Sequence, residues 1–265
     1  MNESAEAEEG RTPDHHYDCD EDGPQYVPPD AVFPGQLYEN LSKLVFLSSD
    51  PFLRMQAFSL DMIDQFIMTI EYEVLKEWHE MERTPARAHF LNAQSQMWVL
   101  SAYELIRTWR ELVKDIRKLH QNGGFPNKIA SLRAQALPDT NIGVEARIEQ
   151  LELAVSTPNL ISEIDGHLAH THVPFGMLEF HRINLAKNQT SGRPNLVPQL
   201  PMGRINKECG SLDFELSIGD NIIGQLNRRQ IADSFRYLNL SSPAPDSEDL
   251  KSFDASLKPP RHVFR

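Results

Sequence analysis

Four histidines crowd one stretch of the chain, His167, His170, His172 and His181, with Glu163 and Asp165 just upstream. On a helix, Glu163 and His167 lie four residues apart and His167 and His170 three, so they share a face. Glu163, His167, His170 and His172 would then supply imidazole and carboxylate ligands to a zinc ion or a hydrolytic metal pair. No H-E-x-x-H or comparable spacing accompanies them, and histidines gathered at a helix end also serve by hydrogen-bonding backbone carbonyls, so no metal and no cofactor is assigned. A second group, Arg182, Asn184 and Lys187, is a basic helix end suited to phosphate, or simply to the helix C-terminus and solvent. Arg107, Arg110, Lys114 and Arg117 repeat at three, four and three, a basic stripe. Together with Arg182, Lys187, Arg193 and Arg204 it could line an RNA groove. The interleaved Glu104, Glu111 and Asp115 could instead neutralise it by pairing between helix neighbours.

The run Phe180-His181-Arg182-Ile183-Asn184-Leu185-Ala186-Lys187-Asn188 resembles the closing motif of the HEPN superfamily. In those helical bundles an Arg, commonly followed by a polar residue, precedes a His by four to six positions. Arg182 matches the Arg, Asn184 is a displaced candidate for the polar residue, and Lys187 stands where the His would be. For an active member the resemblance implies metal-independent RNA cleavage, in which the 2′-hydroxyl attacks the adjacent phosphate while His and Arg transfer protons and stabilise charge. Lysine, with an ordinary pKa of about 10.4, is a poor base near neutrality without strong desolvation. The resemblance spans residues 51–188 and also implies a groove shared by two subunits, hence a homodimer. A second match, Arg83 with His89, opens a helix instead of closing the bundle, and Pro85 lies inside it.

The elements that must position these residues are long helices. Trp98, Ala102, Leu105, Trp109, Leu112, Ile116 and Leu119 recur at steps of four and three, holding one apolar stripe on one helix face. The preceding helix should run from Pro51 to Met81, capped by Ser49 or Asp50, with Leu60, Ile63, Ile67, Ile70, Val74 and Met81 inward. Thr84 and Pro85 separate the two, and Asn122-Gly123-Gly124 ends the second after His120. A second apolar face on that helix, Val99, Tyr103, Ile106 and Val113, needs another cover and suggests self-association. Before them, Leu44–Leu47 reads as a brief helix. Shorter helices are expected over 127–137, 144–155, 158–170 and, after a break at Pro174-Phe175-Gly176, 176–187.

Downstream the period changes. Leu212, Phe214, Leu216 and Ile218 alternate with Asp213, Glu215 and Ser217, a strand with one buried face. Turn residues on both sides extend it to a three-stranded meander with 203–206 and 222–226. Asn227 and Gln230 form a capping box for a short helix with Ile231, Phe235 and Leu238 inward. The fold class is therefore mainly α, a helical bundle with two long antiparallel helices, followed by a small antiparallel meander and a short helix.

The chain has 265 residues and a formal charge of −12, but residues 1–30 alone carry ten acids against Arg11. Removing these from the 38 acids and 26 bases leaves 28 against 25, a net of −3, so the body is nearly neutral. The acidic segment is too poor in apolar residues to offset its ordering entropy and is expected to be disordered. Two cysteines, Cys19 and Cys209, give no disulfide framework, and neither a leader pattern nor a long apolar run is present. A cytoplasmic protein with no membrane partner is expected. The organisation reads as an acidic tail (1–30), a HEPN-like bundle (31–190), the meander and short helix (191–240) and a flexible tail (241–265). The function expected is a nucleic-acid-associated or partner-binding module, with RNA and a second copy as candidate partners. The alternatives are a metal-independent RNase, a His-rich metal-dependent hydrolase and a purely structural interaction protein.

Overall fold

The computed structural model describes Tyr26, Pro28 and residues 29–135, 142–186, 202–218 and 221–257. The acidic segment to residue 25, Lys187 and Arg193 lie outside the described residues. The protein is mainly helical, with a small antiparallel sheet near its C-terminal end. In chain order the helices are α1 (Gln36–Leu41), α2 (Pro51–Met81), α3 (Arg87–Gln121), α4 (Phe125–Gln135), α5 (Ile142–Ser156), α6 (Leu160–His170) and α7 (His172–Ala186). The strands β1 (Arg204–Ile205), β2 (Leu212–Ile218) and β3 (Asn221–Leu226) follow, then α8 (Arg228–Arg236) and α9 (Ser247–Ser256).

The spine is the hairpin of α2 and α3, 31 and 35 residues long, or about 47 and 53 Å at the helical rise per residue. Asp50 starts α2 by accepting from the backbone N–H groups of Phe52 and Leu53, both at 3.0 Å, and Pro51 occupies the first turn, where a missing N–H costs nothing. The α3 stripe is buried, with Trp98 and Trp109 fully enclosed and Leu112 and Leu119 at its margin. Residues 44–47 are not an α-helix but a series of turns whose four apolar side chains are all buried. Two side chains hold this segment by one peptide unit. Trp109 Nε1 donates to Val45 O at 2.8 Å, and Val45 N donates to His167 Nδ1 at 3.0 Å.

Several expectations need correction. Val99, Tyr103, Ile106 and Val113 are buried within the single chain, because the later helices, α7 above all, cover that face. They leave no surface for a second copy. On α2, Ile63 and Met81 are exposed, and the inward positions beside Leu60, Ile67 and Val74 are Asp64 and Glu71. The break between α6 and α7 falls at Thr171, not at Pro174. Pro174 sits in the first turn of α7, where its lack of an N–H is harmless, while Phe175 N donates to Thr171 O at 3.0 Å. Within the stretch read as a flexible tail, Asp246 caps α9 by accepting from Glu248 N and Asp249 N. Gly176 lets α9 approach α7, since a Cβ there would come within 2.5 Å of the Phe253 ring.

The sheet has the order β1-β2-β3, all antiparallel, with Arg204 opposite Asp213 and Phe214 opposite Leu226, and a bulge between Leu216 and Ser217. The capping box is present: Gln230 N donates to Asn227 Oδ1 and Asn227 N to Gln230 Oε1. Ile231 and Phe235 are buried and Leu238 half-buried.

Candidate functional site

Of the residues picked out in the HEPN-like motif, Arg182 sits where α7 packs on α3. Arg182 lies over the Tyr103 ring at 4.3 Å, Tyr103 stacks on Phe175 with centroids 5.7 Å apart, and Arg110 covers Phe175 at 4.8 Å. This is a four-layer ladder with a guanidinium at each end, each gaining cation–π attraction. Arg110 also donates to Thr171 Oγ1 at 2.8 Å and Leu168 O at 3.2 Å, and burial lowers its pKa to about 10 against the opposing pull of Glu179. It therefore works as a packing residue between α3, α6 and α7. Asn184 donates to Phe180 O of its own helix at 2.9 Å. His181, next to Arg182, points the other way, fully buried against Phe214 at 5.1 Å between centroids, with neither ring nitrogen hydrogen-bonded. Burial lowers its pKa to about 4.

The remaining basic residues divide by partner. Arg107 is exposed and held by Glu104 and Glu111 at 2.6 Å each, and Arg117 reaches Asp165 at 3.1 Å. Arg204 pairs with Glu215 across the sheet at 3.1 Å. Lys114 has no carboxylate within ion-pair distance among the described residues, and its pKa is lowered by burial of its stem and by the neighbouring Arg110 and Arg117. Asp115 is engaged by Arg147 of α5 instead of by the stripe.

The histidines do not converge. Glu163, His167 and His170 share α6, but the His167 ring turns inward to accept from Val45, and burial depresses its pKa despite the pull of Glu163. His172, on the next helix, faces Asp254 of α9 at 2.7 Å. Among the described residues no three His, Cys, Asp or Glu side chains come together as a metal site.

Sequence reading missed two features. The first is ionic and interior. Asp64 and Glu71 of α2 meet Arg228, Arg229 and Arg236 of α8, all five essentially without solvent exposure. Arg228 donates to Asp64 and, at 2.7 and 3.0 Å, to Glu71 Oε1, while Arg236 joins Asp64 to Asp233. Arg229 lies 3.6 Å from Glu71 and 3.4 Å from Asp233. Three cations face three anions, and Trp98 packs on the Arg228 guanidinium at 5.3 Å. Burial opposes the Arg228 charge, but Glu71 and Asp64 outweigh it and hold its pKa above the ordinary value. Gly210 belongs to the same seam. With φ at +76°, a Cβ there would meet the Glu71 carbonyl oxygen at 2.0 Å. The signal in the sequence was the alternative heptad Leu60, Asp64, Ile67, Glu71, Val74, with acids at core positions.

The second feature is apolar and exterior. Phe52, Met55, Phe58, Met62, Ile63 and Phe66 of α2 are each 44–65% exposed. Between Met55 and Ile70 the only charged residues are Asp61 and Asp64, and both are buried, so the outer face carries no charge beyond Arg54 at its N-terminal end. From Ala88 to Tyr103, α3 likewise has no acid, lysine or arginine, and exposes Met97 and Leu100. Arg87, at the start of α3, pairs with Glu73 and Glu77 toward the end of α2, where the two helices meet. Single exposed apolar side chains are ordinary, whereas a run of this length on one hairpin is not. Beside α8 there is also an open recess of about 490 Å³, bordered by Phe33, Gln36, Glu39, Lys43 and Arg236.

Compared with models of known protein families, with curated proteins and with solved structures, the chain matches none. Among the described residues no helix is long and apolar enough to cross a membrane.

Proposed function

We propose that the protein is a HEPN-like helical module that binds a protein partner through the outer face of α2 and the first half of α3. The observation that carries this reading is the exposed apolar face of α2, which bears no charge from Met55 to Phe66, with Met97 and Leu100 of α3 also exposed. Water is displaced from such a surface only by another apolar surface, and phosphate gains nothing there. The expected homodimer and cytoplasmic setting belong to this reading, with a second copy among the partners the face fits. RNA binding is the second reading, favoured by Lys114, which stands between Arg110 and Arg117 without a carboxylate partner among the described residues.

The test places a photoreactive benzoylphenylalanine at Met62, or at Thr108 on the charged half of α3 as a control. A protein adduct should form at position 62, be absent at 108, and disappear when Phe66→Glu is added. Labelled single-stranded RNA, offered to the same protein at low salt, separates the second reading. No protein adduct, together with RNA binding that weakens in Lys114→Ala and Arg182→Ala and loses about one counterion per contact, would replace the first reading by the second.

A further inference from the structure

From the size and composition of this face we infer that its partner is a second copy of the same chain, docked hairpin against hairpin about a two-fold axis. The inference rests on the protein-binding reading of the α2/α3 surface and names the occupant.

Area is the first argument. The eight exposed Phe, Met, Ile and Leu side chains of the face are about half accessible. At roughly 200 Å² for a large side chain, they offer on the order of 800 Å² per protomer, which is what a standard stable interface buries on each side. The patch also exceeds the roughly 300–600 Å² of the largest apolar patch on a typical monomer.

Self-complementarity is the second. A two-fold interface sets each surface against its own image, so any net charge on it would repel. From Met55 to Ile70 the exposed polar residues among the apolar ones of α2 are Gln56, Ser59 and Thr69, none charged; exposed Arg54 stands only at the N-terminal end, beside Phe52. Flexible Met55, Met62 and Met97 can fill the gaps between Phe58 and Phe66 of the facing chain. Two hairpins stacked this way form a four-helix layer, a packing that long antiparallel helices adopt readily.

The acidic N-terminal segment of the chain is a poorer occupant. Residues 1–25 hold nine acids and, among large apolar side chains, only Met1 and Tyr17, so covering the face with them would desolvate carboxylates.

The test uses the full chain. Light scattering behind size exclusion, from sub-micromolar to tens of micromolar protein, should give the mass of two chains at the upper end. Met62→Glu/Phe66→Glu should give one chain, with the far-ultraviolet circular dichroism of the parent. Met97→Lys, on the other helix, serves if the double variant loses helicity, and should also be monomeric. A wild-type protein that remains monomeric throughout, a mass above two chains, or a dimer that survives these substitutions overturns the inference. A monomer whose Met62 cross-linker still captures another protein would overturn the second copy alone. A monomer that captures none would take the protein-binding reading with it.

Discussion

Asp64 and Glu71 of α2 lie in the interior, while Met62 and Phe66, on the turns beside them, face solvent. The helix thus carries charge inward and aromatic rings outward, the reverse of a surface helix. The two sides differ in whether the chain supplies a mate. Inward, α8 delivers three arginines at hydrogen-bond or ion-pair distance, so desolvation of the acids is offset by attraction. Outward, no described element covers the phenylalanines and methionines. One half of the contrast is closed within the chain, and the other is left to a partner.

Breaking the inward side should have the largest effect. Glu71→Leu leaves Arg228 and Arg229 short of their counter-charge in a buried site, and unfolding by denaturant should show a loss of about 3–5 kcal/mol. Adding Arg228→Met should recover a large part of that, because a paired apolar replacement carries no stranded charge. A double variant no more stable than the single one would mean that packing, not charge balance, dominates the seam.

His181 sharpens the contrast from within, as a buried polar group lacking the partners that the ionic seam enjoys. With its folded pKa near 4 against an ordinary value of about 6.5, the unfolded chain takes up a proton between these values and the folded chain does not. Its contribution to stability is therefore intact above about pH 6.5, falls by roughly 3 kcal/mol down to pH 4, and is level below. His181→Leu should remove that acid limb, read as the difference between variant and wild-type urea midpoints from pH 7 to pH 4. Parallel curves would show that the imidazole is hydrated in solution.

The smallest effect is expected on the charged half of α3. Arg107 is exposed and its pairs with Glu104 and Glu111 lie open to solvent, so Arg107→Ala should leave the unfolding midpoint unchanged within error. A clear loss would indicate that this half, too, is covered.

The two long helices, the meander and the capping box of α8 were legible because each rests on local chemistry: a heptad stripe, a period of two, an asparagine three residues before a glutamine. The cover of Val99, Tyr103, Ile106 and Val113 was not, since an apolar face looks the same whether its own chain or a second one buries it. Nor were the buried arginines of α8. Arg228, Arg229 and Arg236 look like solvent-facing residues of a polar helix until Asp64 and Glu71, more than 150 positions earlier, are found opposite. For the candidate site, Arg182 and Arg110 were read as phosphate-contacting or helix-end cations, but their ring stacking with Tyr103 and Phe175 is a long-range contact that spacing along the chain does not encode.

By itself the sequence determined the helical class, the length of the hairpin and the presence of the antiparallel meander, because periodicity and caps act within a few residues. Only the tertiary structure decided the strand register and which further faces of α2 and α3 are inside. Burial is a property of the assembled layers, and on α2 the charge-matched face won it, because α8 could neutralise two acids while nothing in the described chain could sheathe the phenylalanines.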